Sequence, residues 1–284
     1  MFVIIGIVVL FGSILGGFVM VGGKVAALIQ INEYIVVCGA CLGAALISRP
    51  LPVVMGTFKA AINTMKPSPY TKTAYGDLLK MLFDLFQLAR REGLVALEKH
   101  VENPKDSDFF MGYTFFLSNH HASAFLSDTM KVVLTGAVEP HDLAEVLESD
   151  LEVHHEAALE IPNLINKTAD ALPGFGIVAA VLGIVITMGS IGGAAAEIGH
   201  HVASALVGTF LGILLSYGVV GPIASGVEAQ IQAEGQYLGC MKTAILSFAR
   251  GDSPMTCVEF ARRSLPPEVR CSFSELEART SVKK

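Results

Sequence analysis

Three pairs of adjacent histidines are the first candidates for chemistry: His120 and His121, His154 and His155, His200 and His201. Imidazole is a common transition-metal ligand, and Glu152 with His155 has the i, i+3 spacing used by di-metal helical bundles. Such a bundle needs a second copy of the motif on a facing helix, and the sequence offers none. Neighbouring histidines also point to different helix faces, so no single pair closes around an ion. Solvated or partly packed histidines are expected, with no metal and no cofactor. Cys38-Gly-Ala-Cys41 has the spacing of a redox motif but lies inside an apolar run with no strand before it, which makes it two small residues on one helix face. The other cysteines, Cys240, Cys257 and Cys271, are scattered, and all five are read as reduced thiols. No P-loop, G-x-S-x-G or dinucleotide fingerprint occurs, so an enzyme is not indicated.

The elements that hold these residues are set by hydropathy. Hydrophobic residues make up 52% of the 284, tryptophan is absent and mean hydropathy is +0.56, which places the chain among integral membrane proteins. A net charge of −6, with no cluster of Lys and Arg, excludes nucleic acid as a partner. Residues 1–23 carry no charged side chain and no basic leader, and are read as a retained first span. A second run, 34–48, is closed by Arg49, which can snorkel to the headgroups while 51–55 extend the span. Two longer runs, 171–196 and 202–227, each exceed the roughly 20 residues a spanning helix needs, and Glu197-Ile-Gly-His-His201 is expected to turn the chain between them.

The predicted fold is an all-α integral membrane protein of four transmembrane helices, with a large helical cytoplasmic insert between the second and third. Residues 1–55 form the first helix pair, 56–170 the insert, 171–227 the second pair and 228–284 a helical extension and tail. In the insert, 75–100 has an apolar face (Leu78, Leu79, Leu82, Phe83, Phe86) against Lys80, Asp84, Arg91 and Glu98, which predicts one amphipathic helix. A second helix is expected over 109–134, and a third, acidic one from Pro140 until Pro162 interrupts it. Helix is expected to continue past Pro222 to Gly251, and the tail, ending in Lys283-Lys284, to fray.

Small residues repeat in the spans, with glycines four apart at Gly12 and Gly16, Gly39 and Gly43, Gly189 and Gly193, Gly208 and Gly212. Such stripes let helix backbones approach closely in lipid. No span carries Asp, Glu, Lys or Arg near its centre, whereas a protein that moves ions normally holds a titrating residue there. If this chain handles an ion, a partner helix must supply the carboxylate.

Residues 172–183, Leu-Pro-Gly-Phe-Gly-Ile-Val-Ala-Ala-Val-Leu-Gly, the Gly221-Pro222 break, and Ala89-Arg90-Arg91-Glu-Gly-Leu followed by Glu98 carry a resemblance. Across essentially its whole length the chain resembles the MotA family of flagellar motor stator subunits, related to the ExbB and TolQ energy transducers. The resemblance implies a multi-pass protein of the bacterial inner membrane. It also implies a ring of five such chains around two MotB helices, whose aspartate carries the ion. It assigns Pro173 and Pro222 to coupling ion passage to shape change, and Arg90 and Glu98, with Asp150 beside them, to contact with the rotor protein FliG. Sodium-driven relatives place threonine on both the third and fourth spans; here the matching positions are Ala180 and Thr209, which implies a proton as coupling ion. Tyr217 is expected to line the same pathway. An ExbB- or TolQ-like transducer of an outer-membrane system is the alternative. Lys and Arg from position 49 onward concentrate in the insert and tail, so both termini and the insert are expected in the cytoplasm.

Overall fold

A computed structural model describes residues 2–189, 192 and 194–281. Every regular element among them is helical: α1 (Phe2–Met20), α2 (Ile31–Ser48), α3 (Leu51–Asn63), α4 (Lys72–Glu92), α5 (Val95–Glu102), α6 (Thr114–Ser118), α7 (His120–Thr135), α8 (Pro140–Gly189), α9 (Ala195–Leu215), α10 (Gly221–Ala249), α11 (Pro254–Arg263) and α12 (Phe273–Thr280). The chain divides into two compact units, Met1–Pro67 with Ala158–Gln230, and Ser68–Ala157 with Ile231–Lys284.

The first unit holds the apolar stretches, and among the described residues four helices are long and apolar enough to cross a membrane. α1 is apolar on every side, and its apolar stretch is left unburied by the rest of the chain. A helix of that kind is stable only in lipid or against other membrane helices. α2 begins earlier than the sequence suggests, so Glu33 lies in its first turn. It also ends sharply: Arg49 and Pro50 are extended, Leu51 starts the separate helix α3, and the second span is not prolonged through 51–55. Arg49 does not snorkel freely, because its Nη1 meets Glu160 Oε1 at 3.2 Å.

Two expected breaks move. Pro162 does not interrupt the acidic helix; α8 runs unbroken from Pro140 to Gly189 through both Pro162 and Pro173. Proline deletes one backbone donor and crowds one carbonyl, a cost of about 3 kcal/mol that neighbouring helices can offset. The hairpin turn also falls before Glu197-Ile-Gly-His-His201, at Gly192, which has φ +112°, a conformation strained for any residue with a side chain. Glu197 and both histidines are the first turns of α9, with the acid placed favourably against the helix dipole. Gly193, Ser190 and the terminal Lys283-Lys284 lie outside the described residues.

The second unit is built around α4, α7, α11 and part of α10, with Leu79, Met81, Leu82, Leu85, Phe86, Met130, Met241 and Ile245 fully buried. Phe86 stacks on Phe248 with ring centroids 4.4 Å apart. The predicted 75–100 helix is two helices, because Gly93 at φ +89° ends α4 and α5 then starts at Val95. The 109–134 region likewise opens with a turn and the short α6 before Asn119 caps α7 by accepting from the Ala122 N–H. The tail is ordered through α12, whose Ser272 and Glu275 form a reciprocal capping box.

Candidate functional site

The seam between α8 and α9 brings backbone to backbone. A Cβ on Gly176 of α8 would lie 2.8 Å from the Gly208 carbonyl oxygen, and one on Gly212 of α9 would lie 2.6 Å from the Leu172 carbonyl oxygen. Further along, a Cβ on Gly183 would lie 2.6 Å from the Ala205 Cβ. Only glycine fits these positions, and van der Waals contact at such range is what holds helices together in lipid. Gly208 and Gly212 thus serve as expected, whereas Cβ atoms at Gly12, Gly16, Gly39 and Gly43 would meet nothing within 4 Å. Gly176 and Gly183, seven residues apart on α8, were not singled out by the four-residue rule.

Thr209 sits on this seam and donates its hydroxyl to the Gly176 carbonyl, 3.4 Å away. Ala180 stands one turn beyond Gly176 on the same face of α8, half-buried and without a side-chain oxygen. Of the two positions that the resemblance links to the coupling ion, one is therefore bare and the other already bridges the helices. Pro173 follows Leu172, which is buried in a small cluster with Val37, Cys41 and Ala179, with Leu215 and Val220 against it. Leu215 precedes and Val220 ends the π turn Ser216–Val220, through which the chain passes before α10 begins at Gly221. The wider turn lets Pro222 enter a helix without its ring striking the carbonyl four residues back. Both backbone irregularities therefore lie at one level of the unit. Pro222 is exposed, and Tyr217, on the π turn, is 73% exposed and lies outside the seam.

The sequence reading missed Glu33. Its side chain is 7% exposed, its Oε2 has no hydrogen-bond partner, and it rests against Gly208. A second span read as starting at residue 34 leaves it just outside; the signal that points to it is an acid directly heading an uncharged helix opposite a glycine stripe.

In the second unit, Arg90 lies in the last turn of α4, Glu98 in the first turn of α5 and Asp150 on α8. All three are exposed, and none forms an ion pair with any described residue. Glu98 borders a shallow groove with Glu102, Lys131 and Leu134, while Arg90 borders another with Glu139 and Asp252. Charges held out in this way add almost nothing to stability and remain available to a partner.

Comparison with known proteins agrees with this arrangement. Residues 4–93 match the profile described as Motility protein A N-terminal, and residues 117–238 that of the MotA/TolQ/ExbB proton channel family. The chain is 37% identical over 278 residues to Motility protein A of Salmonella typhimurium, covering 98% of this chain and 94% of that one. It is 36% identical, with the same coverage, to Motility protein A of Escherichia coli. Its fold is similar to that of a chain in the structure of C. jejuni MotAB, with a TM-score of 0.77, 20% identity, and coverage of 95% of this chain and 98% of that chain.

Proposed function

Because the chain belongs to the motility protein A family within the MotA/TolQ/ExbB proton channels, we propose that it is a stator subunit of the bacterial flagellar motor, converting ion flow into torque on the rotor. One observation carries the reading: among the described residues the apolar stretches of α1, α2, α9 and the part of α8 after Asp170 hold no Asp, Glu, Lys or Arg near their centres, and Glu33 and Glu197 lie in the first turns of α2 and α9. A channel subunit without its own mid-membrane titrating group needs a carboxylate from elsewhere. In this proposal a MotB-type partner helix supplies an aspartate beside the α8–α9 seam, with five copies of this chain around two partner helices.

The coupling ion in this reading is a proton. Sodium would need several oxygen ligands in place of its water, and Ala180 offers none while Thr209 offers one. Protonation of the partner aspartate removes its charge, and the change in its contacts is passed to Pro173 and to the π turn before Pro222. These are the places where helix hydrogen bonding is already interrupted and bending is least costly. Arg90, Glu98 and Asp150 then act on a rotor protein of FliG type through exposed pairs worth under about 1 kcal/mol each, which form and break readily. The excess of Lys and Arg in the 49–170 and 228–284 segments supports a cytoplasmic insert and cytoplasmic termini in the inner membrane.

The test is purification from detergent with identification of the membrane partner. A single-span protein with an aspartate in its helix and a peptidoglycan-binding domain supports the stator reading. A TonB- or TolR-type partner would move the function to outer-membrane energisation.

A further inference from the structure

We propose that His121, His154 and Glu234 form a binding site for a zinc-class divalent metal ion in the second unit. The three residues come from α7, α8 and α10, far apart in sequence, and each offers one ligand atom within 4.8 Å of the others. His121 Nδ1 lies 3.2 Å from Glu234 Oε1. Two ligands of a tetrahedral ion, each bonded at about 2.0–2.1 Å, lie roughly 3.4 Å apart, so this edge already has the required length. The His154 ring stands edge-on to His121 with centroids 4.5 Å apart.

A second observation points to a ligand. His154 Nε2 is buried and has no hydrogen-bond partner. A polar atom withdrawn from water is ordinarily satisfied, and a metal ion would satisfy this one. Glu234 also has a polar neighbour from outside the triad. The Tyr70 hydroxyl lies beside it, and Asn119 Nδ2 donates to that same hydroxyl at 3.0 Å. Asn119 in turn caps α7 two residues before His121. Outer contacts of this kind fix the orientation of metal ligands. Two imidazoles and a carboxylate suit zinc and its neighbours in the first transition row better than calcium or magnesium, which want oxygen. The exposure of His121 leaves a fourth position for water. The earlier objection, that neighbouring histidines diverge, does not apply, since the site takes one residue from each of two pairs and its carboxylate from a third helix.

The experiment is titration of the full chain, co-purified with its membrane partner and stripped with EDTA, using Zn²⁺ against a competing chelator dye and Co²⁺ as a visible-absorbance probe. One saturable site per chain is expected, with a tetrahedral Co²⁺ spectrum. His154→Gln and Glu234→Gln are each expected to weaken binding at least tenfold. The double variant His200→Gln, His201→Gln is expected to bind as the parent does. Absence of saturable binding below about 0.1 mM, or binding unchanged in both His154→Gln and Glu234→Gln, overturns the site.

Discussion

The Glu33 carboxylate of α2 lies directly against Gly208 of α9, so a Cβ at position 208 would overlap Glu33 Oε2 and approach the Ala179 Cβ to 2.9 Å. Glycine at 208 is what allows an acid to enter a helix interface. Gly208→Ala is therefore expected to destabilise the first unit by about 1–3 kcal/mol, the usual cost of overpacking. Adding Glu33→Ala should recover only part of that loss, because the clash with Ala179 remains. Chain levels in the membrane fraction and thermal unfolding of the purified protein measure both; full recovery in the double variant would show that Ala179 yields freely.

The α8–α9 seam makes a second prediction. Gly176→Ala and Gly212→Ala each drive a methyl group into a backbone carbonyl, at 2.8 Å and 2.6 Å, which a rotamer change cannot relieve. Both should lower assembly and swimming together. Thr209→Val keeps the shape and loses only a long hydrogen bond at 3.4 Å, so its effect on membrane level should stay within about 1 kcal/mol. Assembly by native gel and swimming on soft agar distinguish the cases.

Arg90 and Glu98 should behave in the opposite way. Both are exposed and unpaired among the described residues, so Arg90→Glu with Glu98→Lys should change stability by no more than about 0.5 kcal/mol. Swimming should nevertheless fall sharply, and complementary charge changes on the rotor protein should restore part of it. Undiminished swimming of the double variant would remove these residues from the rotor contact.

Acid sensitivity of the second unit should trace in part to Glu259. The Arg262 guanidinium grips it at 2.7 Å and 2.9 Å and Arg263 at 2.7 Å, which lowers its carboxyl from the ordinary 4.5 to about 2. A carboxyl depressed on folding stabilises fully above its unfolded value and loses that contribution as pH falls through its folded value. Between pH 4.5 and 2 the parent should lose stability more steeply than Glu259→Gln, by up to roughly 1.4 kcal/mol per pH unit. Arg262 also donates from Nη1 to the Cys271 carbonyl at 2.9 Å, so the melting of α11 and α12 by hydrogen exchange is the natural readout.

Much of this was legible in the sequence, because long uncharged runs have one solution in lipid and a 3.6-residue stripe has one in water. The apolar face of α4, the start of α8 at Pro140 and the four spans follow from those two patterns. Pro162 misled because the rule that proline ends helices holds where nothing else supports the backbone. The hairpin turn was misplaced because Glu197 and the histidines after it look like loop, yet charge at a helix's first turn is well tolerated, and Gly192 with its positive φ was the better signal. The acid heading α2 was a visible signal for Glu33, but its contact with Gly208, like that of His154 with His121 and Glu234, joins distant segments and has no spacing to reveal it.

The central claim is that protons, carried past Ala180 and Thr209 on a partner's aspartate, drive rotation. Its most direct test is the swimming speed of a strain lacking this chain and complemented with it, measured with sodium replaced by potassium at constant proton-motive force, and then with a protonophore. The account predicts unchanged speed without sodium and arrest with the protonophore. Arrest on sodium removal alone would contradict it.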